Sequence, residues 1–154
     1  MIDELLDIRK KLSKGQFRLL GYGSGRRVFD LNNGYVVKVA RNRKGIAQNR
    51  VEYQISTESE ITIITRTISI SEDGRYLIME KADRLRNFSY VLQYYNAHSL
   101  NELLTRDDII ELIEHYHMVK ADLRRISNWG ITNGRPVVID YGFTQEVRKK
   151  YYWH

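Results

Sequence analysis

Cysteine is absent from this chain of 154 residues. That excludes disulfides, thiol catalysis and cysteine-ligated zinc. Long apolar runs are absent too, so no membrane-spanning helix is expected. The opening residues Met1-Ile2-Asp3-Glu4 carry acid where a secretory signal carries base, and no signal peptide is expected. There is no internal repeat and no low-complexity segment. His115 and His117 stand two apart, so the i, i+4 spacing of a helical metal pair is missing. With His98 and His154 they read as structural or surface residues. What remains is an ordinary globular composition, 42% hydrophobic and 29% charged. It fits one domain large enough to bury a core, and it suits a cytoplasmic protein. The net charge is +6, and residues 1–50 hold twelve Lys/Arg against four Asp/Glu. Such a basic half favours a polyanion (a nucleotide, RNA or DNA) or is a solvated surface.

The hydrophobic pattern predicts a helix over 2–13, with Ile2, Leu5, Leu6 and Leu12 on one face. Strands follow over 16–21, 26–31 and 35–40, the last two joined at Asn32-Asn33-Gly34. A helix over 45–57 carries Gln48, Glu52 and Ile55. Residues 61–70, rich in Ile and Thr, read as a strand. A turn at Glu72-Asp73-Gly74 leads to another strand over 75–80. Beyond this the pattern is helical. Ser99 with Glu102 forms a capping box, and Thr105 with Asp108 a similar acidic cap. A loop is expected after Asp122, then a hairpin turning at Asn133-Gly134, then a helical tail from Thr144. Five strands with one inserted helix, followed by helices and a small hairpin, make an α+β arrangement.

The chemistry-bearing residues are spread along this frame. Gly21, Gly23 and Gly25 lie between two strands, where backbone N–H groups can approach phosphate without Cβ clashes. A plain hairpin gives the same pattern. Lys38 interrupts the apolar run Val36-Val37-Lys38-Val39-Ala40. A buried lysine is costly without a partner, and Glu52 on the next helix can be that partner. Late in the chain, Asp140-Tyr141-Gly142 follows an apolar strand, and Asp122 stands eighteen residues before Asp140.

The order glycine loop, strand lysine, helix glutamate, Asp122, Asp140-Tyr141-Gly142 resembles the protein-kinase superfamily. The wording Asp122-Leu123-Arg124-Arg125, Asn128-Trp129-Gly130 and Val39-Ala40-Arg41-Asn42 is similar to small kinase-like proteins of tailed phages and prophages. The resemblance covers residues 17 to 153. It implies a protein-kinase-like fold: a five-stranded antiparallel N-lobe with one helix, then a truncated, mainly helical C-lobe. Residues 1–80 would be the N-lobe, 81–98 hinge and linker, and 99–154 a minimal C-lobe of one domain. It implies ATP and Mg²⁺ as cofactors. Lys38 would hold the α and β phosphates and Glu52 would orient it. Val28 would cover the adenine, Met79 would stand behind it, and backbone groups of Glu80 and Ala82 would bond its edge. Asp140 and Asn128 would be metal ligands, and Asp122 would accept or orient the proton of the attacking hydroxyl.

Four departures qualify the resemblance. Arg26 stands where the third glycine is usual, and whether Arg26 and Arg27 read phosphate or face water is open. Lys120 replaces the catalytic-loop histidine, and Asn128 lies six residues after Asp122 instead of five. Twelve residues follow Gly142, too few for an activation segment and substrate helices. Three functions therefore stand side by side: an active phosphotransferase on an unnamed protein or small-molecule acceptor, a nucleotide-binding pseudokinase that regulates a partner, and a basic module contacting nucleic acid or protein. Tyr94-Tyr95 and Tyr151-Tyr152-Trp153 read as packing residues or as base-stacking platforms.

Overall fold

The computed structural model describes residues 2–151. Contacts divide the chain into two compact units: Met1–Thr57 with Arg66–Lys81, and Glu58–Thr65 with Ala82–His154.

The first unit is a five-stranded antiparallel sheet with two helices, α1 (Ile2–Ser13) and α2 (Arg43–Glu58). Its strands are β1 (Arg18–Tyr22), β2 (Arg26–Asp30), β3 (Tyr35–Ala40), β4 (Thr67–Ile70) and β5 (Tyr76–Glu80), in the order β1-β2-β3-β5-β4. The β2–β3 hairpin turns at the expected Asn-Asn-Gly, where Asn32 and Gly34 take φ of 62° and 89°. Alternation along β3 sends successive side chains to opposite faces. Val37 joins Ile8, Leu31 and Ile78 in an apolar cluster flanked by Leu5 and Leu12. The inward stripe of α1 is therefore Leu5, Ile8 and Leu12, a helical i, i+3, i+7 spacing. Leu6, expected on that face, lies one position off it and is 46% exposed. The side chain of Ile2 lies outside the described residues.

Helix α2 starts at Asn42, whose Oδ1 accepts the Gly45 N–H at 3.0 Å, as an N-cap does. Its buried stripe is Gly45, Asn49, Glu52, Ile55 and Ser56. Gly45 lets the helix start press on the loop before β2. A Cβ there would stand 2.0 Å from the Gly25 carbonyl oxygen and 3.0 Å from the Ala40 Cα. Both obstacles are backbone and cannot swing aside. Gly45→Ala is expected to cost at least about 2 kcal/mol by overpacking. A melting temperature equal to wild type would show that the loop and helix separate freely.

The strand expected over 61–70 is corrected: only Thr67–Ile70 is a strand. Residues 58–65 belong to the second unit. There Thr65 N–H bonds the Val138 carbonyl at 3.1 Å and Val138 N–H bonds the Ile63 carbonyl at 2.7 Å. Adjacent Ile63 and Ile64 are both buried. The one-sided alternation of a half-buried strand is lost, because this segment is covered on both sides.

The second unit is mainly helical, with a three-stranded sheet in the order β6 (Asp83–Arg84), β7 (Trp129–Thr132), β8 (Arg135–Val138). Its helices are α3 (Ser89–Tyr94), α4 (Leu100–Leu103), α5 (Asp107–Ile110), α6 (Lys120–Leu123) and α7 (Gln145–Tyr151). Ser99 caps α4, accepting the Glu102 N–H at 3.1 Å. The Thr105 cap is corrected: its hydroxyl bonds back to the Glu102 carbonyl at 2.6 Å, and Arg106 takes the N-cap position of α5. A π-turn over Glu111–His115 continues α5. The β7–β8 hairpin turns at Asn133-Gly134, with φ of 51° and 75°. Trp129 is buried and donates its indole N–H to the Leu123 carbonyl at 2.9 Å. Tyr152, Trp153 and His154 lie outside the described residues. Among the described residues no helix is long and apolar enough to cross a membrane.

Candidate functional site

The first unit buries a charged cluster on the α2 face of its sheet. Val36, Lys38 and Ala40 alternate away from the apolar α1 face, so Lys38 points toward α2. Its ammonium meets Glu52 Oε1 at 2.8 Å, with Lys38 3% and Glu52 0% exposed. Arg26 completes the cluster. Its Nη1 and Nη2 donate to Glu52 Oε1 and Oε2 at 2.8 and 2.7 Å, a bidentate pair. Nη1 also reaches Asn49 Oδ1 at 3.1 Å. Asn49 in turn donates to the carbonyls of Lys38, Gly74 and Arg75. Burial pushes the Glu52 carboxyl up, but the Arg26 and Lys38 charges overcome it and hold its pKa at about 2.

Arg26 thus faces inward, while Arg27 is exposed. Sequence reasoning left Arg26 open and gave Asn49 no role. Strand register and helical spacing account for both. Arg26 pairs with Ala40 in the β2–β3 register as Val28 pairs with Lys38, so it shares the Lys38 face. Asn49 lies three residues before Glu52, on the same side of α2.

The glycine loop is tied down at several points. Gly21 lies in β1 opposite Val28, at an irregular step in the register. The Gly23 N–H bonds the Arg26 carbonyl at 2.9 Å, and Arg41 donates to the Gly23 carbonyl at 2.8 Å. Asn42 donates to the Ser24 carbonyl at 2.8 Å, Lys44 to the Ser24 hydroxyl at 2.7 Å, and the Arg41 N–H to the Gly25 carbonyl at 2.7 Å. A Cβ on Gly23 would meet nothing within 4 Å, whereas Gly25 is packed against Gly45 and Gln48. Gly25 therefore serves the approach of α2, and Gly23 borders open space.

Met79 is buried on β5, opposite Val36 and Thr67. Glu80 spends its N–H on the Arg66 carbonyl, and its carboxylate accepts the Arg66 N–H. Both of these groups are thereby committed to Arg66. Lys81 pairs with Asp30 at 2.9 Å, and that bond holds the Asp30 carboxyl below its ordinary range. Ala82 opens the second unit and is half-buried.

In the second unit, the loop expected after Asp122 begins at Arg124, past the end of α6. Asp122 lies within α6, and a 3₁₀ turn over Ile126–Asn128 follows. The Asn128 amide donates to the Asp122 carbonyl at 2.9 Å and ties the intervening residues together. Burial pushes the Asp122 carboxyl up. Arg125 pulls it down, and the charge of Asp140 adds to the rise. Asp122, Asn128 and Asp140 are thus brought into one neighbourhood. Tyr141 is fully buried and donates its hydroxyl to the Thr65 carbonyl at 2.6 Å. That bond fixes the residue beside Asp140. Tyr141→Phe is expected to lower stability by about 1–2 kcal/mol. A denaturation midpoint unchanged by the substitution would count against this anchoring.

Among the described residues no group of three or more His, Cys, Asp or Glu gathers to hold a metal. His115 stacks edge-on against Tyr116, and His98 pairs with Glu102 at the surface. Tyr95 packs in place: Arg106 lies over its ring at 4.5 Å and its hydroxyl bonds the Pro136 carbonyl.

No known family model and no curated protein matches this sequence. Solved structures do match. The aminoglycoside phosphotransferase APH(2'')-Ib, ADP-bound, aligns with a TM-score of 0.51 at 18% identity, covering 88% of this chain and 70% of that one. The streptomycin–ATP and gentamicin complexes of APH(2'')-IIa align with TM-scores of 0.47 at 18% identity, over 88% of this chain and 70% and 69% of theirs. At this identity the likeness speaks for architecture. The chain has a protein-kinase-like α+β fold with a five-stranded antiparallel sheet.

Proposed function

We propose that this chain is a Mg-ATP-dependent phosphotransferase that delivers a phosphoryl group to a hydroxyl acceptor. The observation that carries this is the buried Lys38–Glu52 ion pair, 2.8 Å long, on a kinase-like sheet. Fold alone does not confer function, so the side chains bear the weight. Lys38 would bind the α and β phosphates, and Glu52 would hold its ammonium in place. Backbone groups of Gly21, Gly23 and Gly25 would border the phosphates and Val28 would cover the adenine. Met79 would stand behind the base, with the Glu80 carbonyl and Ala82 N–H at its edge. Asp122 would take or orient the acceptor's proton.

The donor set fits Mg²⁺. Asp140 and Asn128 offer oxygen only, and few of them, which suits an ion that keeps waters and phosphate oxygens as its other ligands. When bound there, Mg²⁺ neutralises charge developing on the phosphates. Kinship with the small kinase-like proteins of tailed phages, and a place in the (host) cytoplasm, belong to the same proposal.

A second function is favoured by the ties of Arg41, Asn42 and Lys44 on the glycine loop. A loop so restrained suits a pseudokinase that binds nucleotide and signals to a partner without turnover. A thermal-shift titration with Mg-ATP decides first, with Lys38→Ala and Asp140→Ala as controls. Both functions predict stabilisation of wild type, since a ligand of the folded state raises its melting temperature. No shift at millimolar Mg-ATP would sink both. Phosphoryl transfer or ATP hydrolysis then separates the enzyme from the pseudokinase.

A further inference from the structure

We propose that Arg26 is a positioning residue for Lys38, acting through Glu52, so that Lys38 can offer its ammonium to a phosphate. This rests on the nucleotide function proposed above. Arg26 engages both Glu52 oxygens, whereas Lys38 engages Oε1. A planar guanidinium fork fixes the plane of a carboxylate, and an ammonium on a flexible stem does not. Arg26 is itself held. Its strand pairs it with Ala40, and Nη1 bonds Asn49, which is anchored to the carbonyls of Lys38, Gly74 and Arg75. The same residue directly follows Gly25, whose carbonyl accepts the Arg41 N–H. One side chain thereby links the end of the glycine loop to the buried carboxylate.

The consequence concerns charge. Glu52 is wholly buried, and a buried carboxylate stays ionised only beside cations. With Arg26 in its fork, Glu52 keeps a counter-charge while Lys38 turns part of its hydrogen bonding toward phosphate. Without the fork, Glu52 draws harder on Lys38, and phosphate competes with a buried carboxylate for the same ammonium. The adenine end of a nucleotide has no part in this competition.

The test measures Mg-ATP and adenosine binding by titration calorimetry on the full chain, for wild type, Lys38→Ala and Arg26→Lys. Arg26→Lys keeps the charge and removes the fork. It is expected to weaken Mg-ATP by about tenfold to a hundredfold, the worth of one charge-assisted hydrogen bond, and to leave adenosine within about twofold. Arg26→Gln, which is neutral but still hydrogen-bonds, is read the same way if the lysine variant does not fold. Wild-type affinity for Mg-ATP in the Arg26 variant, with Lys38→Ala impaired, would overturn the positioning role and leave the nucleotide function standing. Equal losses for Mg-ATP and adenosine would also overturn it, making Arg26 a residue of the fold alone. Failure of wild type to bind Mg-ATP overturns the nucleotide function and this role with it.

Discussion

Glu52→Ala is expected to destabilise the protein by about 3–5 kcal/mol, because it strands two buried cations. Arg26 and Lys38 are 8% and 3% exposed, and each is bonded to the carboxylate that the substitution deletes. Glu52→Gln keeps the shape and loses the charge, so a smaller loss is expected. The sign of the pH dependence follows from the folded-state value. The Glu52 carboxyl lies at about 2 against an ordinary 4.5. Its ionisation therefore stabilises the fold fully above pH 4.5, and the contribution is lost as pH falls from there toward 2. The contribution is roughly 3 kcal/mol at neutral pH. Denaturant unfolding of wild type and both variants between pH 7 and pH 3 tests this. Wild type should lose stability on acidification, and the alanine variant should lose less. An alanine variant within about 1 kcal/mol of wild type at pH 7 would show that the buried cations are not stranded.

Asp122→Ala is expected to cut phosphoryl transfer by about a hundredfold to ten-thousandfold, the usual weight of a general base. Mg-ATP binding should survive, since nucleotide contacts are assigned to Lys38, Asp140 and the glycine loop. The surroundings of Asp122 suit this task. Burial, with the charge of Asp140 beyond it, raises the carboxyl above the ordinary 3.8 despite Arg125. A base must be ionised to accept a proton. Turnover should therefore fall on acidification through a pH above 3.8, and this limb should vanish in Asp122→Ala. Initial rates against pH, with ATP hydrolysis as fallback when the acceptor is unknown, provide the measurement. Wild type indistinguishable from Asp122→Ala in every assay would remove the catalytic role and favour the pseudokinase.

Much of the fold could be read from residue order. The turns at Asn32-Asn33-Gly34 and Asn133-Gly134 announce themselves because few residues accept a left-handed backbone. The helix carrying Glu52 ends within two residues of its expected bounds. The run 61–70 misled because Ile and Thr report burial and β-branching, not which sheet, or which unit, covers them. Leu6 misled for a related reason. A short helix rich in leucine offers two adjacent stripes, and the packing partner selects one.

Sequence alone determined what could be present: no thiol chemistry, a lysine set among apolar residues, a glycine-rich turn before it, and two aspartates eighteen residues apart. Those are properties of residue type and local spacing, and they survive without coordinates. Tertiary structure alone decided that Arg26 turns inward to grip Glu52, that Asn49 fastens Arg26, and that Asp122 shares its surroundings with Asp140. Each of these depends on strand register or burial, and such quantities arise only when distant segments meet.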